Sequence, residues 1–158
     1  MTTTASQRVV SGPDARPRLG IRLAVFAAVV AVSILLPFVF LREGSSWFHL
    51  VCHLLGITVC GLGVLTLHGV RQAPISKSLR VLTWISTVAF VAWAVVHTGE
   101  LATVLVNGGP HADHELFQHP VHVFFATIAV PSWMLTVLSS LVLLITAGVQ
   151  VLVRAARR

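Results

Sequence analysis

Charged side chains are scarce in this chain. Only 10% of its 158 residues are Asp, Glu, Lys or Arg, and only five are acidic, whereas 56% of the residues are hydrophobic. Because soluble domains carry about a quarter charged residues, this composition excludes an ordinary soluble protein. It predicts an integral membrane protein, in agreement with the mean hydropathy of +0.89.

Cysteine is nearly absent too, and so are the common sequence signatures of enzymes. Cys52 and Cys60 are eight positions apart, about 12 Å along one helix, which is too far for a disulfide. The chain has no pattern typical of a catalytic triad, a phosphate-binding loop or a dinucleotide site.

Its net charge is +6, but the basic residues form no patch with interleaved aromatic residues. Nucleic acid is therefore not an expected partner.

Four apolar segments are each long enough to cross a bilayer, which takes about 20 residues as a helix. They predict an all-α domain over residues 19–158, with helices at about 19–41, 47–70, 81–106 and 121–153. Pro120 is expected to open the fourth helix, with His119 just before it. Residues 1–18 are small, polar and interrupted by two prolines, so we expect a disordered tail there.

The basic residues are distributed asymmetrically. If the helices alternate in direction, ten of the eleven Lys and Arg residues fall on one side of the membrane, and only Arg42 falls on the other. Cytoplasmic loops are enriched in Lys and Arg, so both termini and the 71–80 loop are predicted to be cytoplasmic. Short connections favour an up-down-up-down bundle of four transmembrane helices in the cell membrane. Its expected partners are the lipid bilayer and either a second copy of the chain or a larger membrane complex.

Histidine is the most informative residue type present. Four of the eight histidines lie in the connector 107–122, which the topology places outside. His53 is about 27 Å from Arg71, and His97 about 26 Å from Arg80, at 1.5 Å per helical residue. The two histidines are therefore expected at the same depth, where buried ionisable groups usually point toward a partner. Each shares a helix face with further residues at three- and four-residue steps: His49, Gly56, Cys60 and Gly63 on the second helix, and Trp93 and Glu100 on the third.

Two kinds of cofactor fit this pattern. A single b-type haem would take His53 and His97 as axial ligands, with its ring against the stripe of Gly56 and Gly63. Another transition metal would draw on a larger set of nitrogen and oxygen donors. That set comprises His49, His53, His97, Glu100, His114, His119 and His122.

Three functions remain open at this point. The first is a redox or metal-handling membrane protein with a histidine-rich site at the outer membrane face. The second is a scaffold or accessory subunit without a cofactor, in which the small residues only allow close helix packing. The third is a metal-dependent membrane enzyme.

The depth of His122 is also left open. His122 is 32 residues from Arg154, about 48 Å along a straight helix. Either the fourth helix runs past the membrane on the cytoplasmic side, or it bends at Pro131 and folds back toward the bundle.

Overall fold

The structure is a computed structural model that describes residues 15–40, 46–107 and 119–157. These residues form four α-helices and include no β-strand: α1 (Ala15–Phe40), α2 (Ser46–Arg71), α3 (Lys77–Val106) and α4 (Pro120–Ala156). Each helix contains a segment long and apolar enough to cross a bilayer, at Arg18–Phe38, Trp47–Arg71, Lys77–Val106 and Pro120–Ala156. For the described residues, the prediction of an all-helical protein with four helices long and apolar enough to span a membrane is confirmed.

The first helix begins earlier than its apolar run. α1 starts at Ala15, so the last four residues of the predicted tail are helical. Pro17 lies in the first turn, where a missing N–H costs no intrahelical hydrogen bond, so it does not prevent the helix from starting there. The rest of the predicted tail lies outside the described residues.

Capping residues, more than hydropathy, determine where α3 and α4 begin. The Ser76 hydroxyl accepts a hydrogen bond from the backbone N–H of Leu79 at 3.3 Å, and α3 starts at Lys77, four residues before its apolar run. An N-cap of this kind satisfies one of the free amides of the first turn. α4 starts at Pro120 with His119 as its N-cap, which confirms the expected opening of this helix.

Side chains from all four helices meet in one core. α2 packs against α3, α3 against α4, and α1 against both α2 and α4. Phe26 of α1 and Phe90 of α3 meet edge to face, with ring centroids 6.1 Å apart. Trp133 of α4 donates a hydrogen bond to the carbonyl of Ser33 in α1 at 2.8 Å. The buried core consists of Phe26, Val29, Val30, Leu36, Val59, Cys60, Leu67, Phe90, Trp93 and Leu143.

The length of α4 explains the depth of His122. Gln150 donates a hydrogen bond to the Ser76 hydroxyl at 2.8 Å, so it lies level with the loop between α2 and α3. Residues 151–157 beyond it are all exposed. α4 is also continuous through Pro131. The helix therefore extends past the bundle, and Arg154 is not level with Arg71 and Arg80. His122 is accordingly closer to the bundle than a count from Arg154 suggests, and it is buried.

Candidate metal centre

Five polar side chains from three helices meet in the interior at the end of the bundle away from the 71–80 loop. α2 contributes His49 and His53, α3 contributes His97 and Glu100, and α4 contributes His122. Each is at most 6% exposed. Ionisable groups at such depth in a spanning helix are costly and are tolerated where they pair with one another. The cluster is therefore held together by its own polar contacts.

His53 is the centre of this cluster. One helical turn separates it from His49, so both rings lie on the same face of α2. The Nε2 atoms of His53 and His49 are 2.9 Å apart. The Nδ1 atoms of His53 and His97 are 3.1 Å apart. Both ring nitrogens of His53 are thus in hydrogen-bond contact, and its tautomer is linked to those of both neighbours.

The ring of His97 fills the space beside Gly56. A Cβ atom at position 56 would lie only 2.4 Å from that ring, so α2 admits it only because this residue has no side chain. Trp93, one turn earlier on α3, flanks the same ring with a centroid separation of 5.0 Å. Together these contacts fix the orientation of His97 toward His53.

Gly63 is covered in a similar way. A Cβ atom at Gly63 would lie 2.7 Å from the ring of Phe90. The stripe on which the haem prediction relied is therefore occupied by the side chains of His97 and Phe90. This arrangement is what the alternative explanation of the small residues, close helix packing, requires.

Glu100 and His122 form the other half of the cluster. Glu100 Oε2 and His122 Nδ1 are 2.5 Å apart. The ring of His122 also lies 5.6 Å, centroid to centroid, from that of His49. His122 therefore links α4 to both α2 and α3.

The donor set is suitable for a metal ion. His49, His53 and Glu100 each offer a ligand atom, and these three atoms lie within 4.8 Å of one another. Two imidazole nitrogens with one carboxylate oxygen form a ligand set that proteins use for zinc and for non-haem iron. His97 and His122 contact two of these ligands directly.

Other predicted ligands lie elsewhere. His119 caps α4, and its Nδ1 accepts a hydrogen bond from the backbone N–H of Val121 at 3.3 Å. His114 lies outside the described residues. His68 is not among the predicted ligands; it lies near the far end of α2, is exposed and contacts the side-chain nitrogen of Gln72 at 2.9 Å.

Phe125 helps to position the cluster and was not predicted. A Cβ atom at Gly99 would lie 2.2 Å from its ring, so α4 approaches α3 closely beside Glu100. Phe125 lies one turn after His122 and thereby fixes the rotation of α4 about its axis. The sequence feature that could have indicated this close helix contact is Gly99, which directly precedes Glu100, the only acidic residue of the third apolar segment.

Comparisons of the chain with protein-family models, with curated proteins and with solved structures found no match.

Proposed function

We propose that this chain is a multi-pass cell-membrane protein that binds one first-row transition metal ion inside the helix bundle, in a redox or metal-handling function. The ligands are His49, His53 and Glu100. The supporting observation is that their ligand atoms come within 4.8 Å of one another at buried positions. With metal–ligand bonds of about 2.0–2.2 Å, the ion would replace the direct contact between the Nε2 atoms of His49 and His53, which are 2.9 Å apart. Side-chain rotation would then adjust the three ligands around it.

The remaining two histidines orient the ligands. With a metal on Nε2 of His53, its Nδ1–H would donate to Nδ1 of His97, which lies 3.1 Å away. Histidine ligands usually donate their other N–H in this way, which fixes both tautomer and ring orientation. His122 would do the same for Glu100, whose Oε2 is 2.5 Å from its Nδ1.

The same geometry favours a bare ion over a haem. Two axial histidines must leave a gap for the iron and its macrocycle, whereas His53 and His97 are in direct contact. A macrocycle would also have to displace the rings that cover Gly56 and Gly63. A metal ion needs neither change.

A cofactor-free scaffold is the second candidate, and one observation favours it. The contacts from His49 through His53 to His97, and from Glu100 to His122, already link α2, α3 and α4 without an ion. Interhelical hydrogen bonds of this kind contribute about 0.6 kcal/mol each on average in a membrane protein. The network could therefore serve the stability of the bundle alone.

Metal analysis of the full chain purified in detergent separates the two candidates. We expect one equivalent of a first-row transition metal per chain, either as purified or after chelation and reloading with Fe²⁺, Zn²⁺, Cu⁺ or Co²⁺. A protein that retains no stoichiometric metal after each reloading would contradict the metal site and support the scaffold.

Variants then assign the ligands. His53→Ala and Glu100→Gln are expected to abolish stoichiometric binding, because each removes a ligand. His97→Ala is expected to weaken binding by roughly 10–100-fold, the usual effect of losing a residue that orients a ligand. His68→Ala is the matched control, since this exposed histidine lies on α2 far from the cluster. Equal metal content in all four variants would exclude the site.

The proposed topology is an up-down-up-down bundle with cytoplasmic termini. Contacts at the two ends support alternating helix directions: Gln150 meets Ser76 at one end, and His122 meets Glu100 at the other. Ten of the eleven basic residues then lie on the cytoplasmic side. In this topology the proposed metal site lies near the outer membrane face.

A further inference from the structure

An open hollow lies at the start of α3, at the end of the bundle opposite the metal centre. Its volume is about 540 Å³, and it is lined by Ile75, Lys77, Arg80, Val81 and Trp84. Small-ligand sites occupy roughly 300–1,000 Å³, so the hollow is of suitable size for a polar headgroup. It combines two exposed cations with an apolar wall.

A third cation stands next to the hollow. The guanidinium of Arg71 lies over the ring of Trp84, 4.2 Å from its centroid. Arg71 also donates a hydrogen bond to the Thr87 hydroxyl at 2.5 Å. Because Arg71 is held by these two contacts, it both orients Trp84 and keeps its positive charge beside the hollow.

These cations have no carboxylate near them in the described part of the chain. Glu100 is the only acidic residue among residues 15–40, 46–107 and 119–157. It follows Arg80 on α3 by 20 residues, about 30 Å along the helix. No carboxylate of the described residues therefore neutralises the charge at the hollow.

We propose that this hollow binds the phosphate headgroup of an anionic phospholipid. The hollow lies at the beginning of Lys77–Val106, a segment long and apolar enough to span a membrane. The end of a spanning segment is the level at which lipid headgroups are expected. From Val81 and Trp84 an exposed apolar strip continues along α3 through Ile85 and Val88. An acyl chain can follow this strip while the phosphate contacts Lys77 and Arg80. A free phosphate would use the cations but not the strip, which is why a lipid is the better occupant.

Native mass spectrometry of the full chain tests the assignment. We expect one phosphatidylglycerol to be retained in preference to phosphatidylcholine with the same acyl chains. The double variant Lys77→Gln/Arg80→Gln is expected to weaken retention by about fivefold for each cation removed, the usual effect near an anionic surface. The matched control is Arg154→Gln/Arg157→Gln, which removes two exposed cations from the extension of α4.

Three outcomes would overturn the proposal. Equal losses in the two double variants would show diffuse charge attraction instead of a site. Equal retention of the two lipids would remove the need for an anion. Displacement of phosphatidylglycerol by millimolar inorganic phosphate would identify a free anion as the occupant.

A second measurement locates the lipid independently of affinity. Phosphatidylglycerol with brominated acyl chains quenches tryptophan fluorescence by contact, and Trp84 is 55% exposed beside the hollow. Trp84→Phe is expected to remove the phosphatidylglycerol-specific part of this quenching. If the quenching is unchanged, the lipid binds elsewhere.

Discussion

Gly56 is the point at which α2 makes room for the ring of His97. Replacing Gly56 with Ala would place a methyl group 2.4 Å from that ring, so the ring must move away from His53. We expect a loss of about 1–3 kcal/mol in the free energy of unfolding, typical of overpacking, and weaker metal binding. Thermal unfolding in detergent and metal titration measure the two effects.

The same helix supplies the control for this substitution. Gly61→Ala adds an identical methyl group at a position with nothing within 4 Å. It is expected to be neutral or slightly stabilising, because alanine favours a helix over glycine. Equal effects of the two substitutions would show that the His97 contact is unimportant.

Two buried serines, Ser86 and Ser140, are expected to lower the stability of the bundle. Both are 0% exposed, and neither hydroxyl has a hydrogen-bond partner among the described residues. Burying an unsatisfied hydroxyl costs about 1–3 kcal/mol, so Ser86→Ala and Ser140→Ala are expected to be neutral or stabilising in thermal unfolding.

Thr87→Val provides the contrast, since the Thr87 hydroxyl accepts from Arg71 and donates to the carbonyl of Thr83. Hydrogen bonds to charged groups contribute about 1.5–3 kcal/mol, so this substitution is expected to be destabilising. A strongly destabilised Ser86→Ala protein would mean that its hydroxyl has a partner, such as a bound water.

At the scale of the helices, the packing of α3 on α4 depends on Gly99. A methyl group there would lie 2.2 Å from the ring of Phe125 and would push α4 away from Glu100. Gly99→Ala is expected to lower the melting temperature and to break the contact between Glu100 and His122. Gly148→Ala on α4 has nothing within 4 Å and is the control. Melting temperatures that fall equally would contradict this account.

Hydropathy predicts the four helices because each apolar segment is long enough to span a bilayer. It does not predict the beginning of α1, four residues inside the expected tail, or that of α3, which Ser76 caps. The meeting of His53 with His97 follows from helical spacing and depth. The covering of Gly56 and Gly63 by the rings of His97 and Phe90 cannot be predicted in this way, because sequence periodicity does not determine side-chain rotamers between packed helices.

At the scale of the whole molecule, the position of His122 shows the limit of counting along the chain. The estimate of about 48 Å took Arg154 as level with the other basic residues. The exposed residues 151–157 show that α4 continues past that level. The sequence could not distinguish this extension from a bend, since both are compatible with the same hydropathy pattern.

Topology can be tested with introduced cysteines. Both native cysteines are fully buried, so background labelling will be low. An impermeant maleimide added to intact cells is expected to label Ala112→Cys in the histidine-rich connector but not Pro74→Cys in the 71–80 loop, because the distribution of Lys and Arg predicts a cytoplasmic position for that loop. The reverse pattern would invert the proposed orientation.

Glu100, the only acidic residue in the described part of the chain, supplies the one negative charge that the described residues bring to the proposed metal centre. A monovalent ion there would be neutralised, whereas a divalent ion would leave one uncompensated positive charge in an apolar interior, where such a charge is poorly solvated. The protein is therefore expected to stabilise the reduced state of a redox-active ion such as copper and to raise its reduction potential above that of the ion in water. Potentiometric titration of the copper-loaded protein would measure this, and a potential at or below the aqueous value would contradict it.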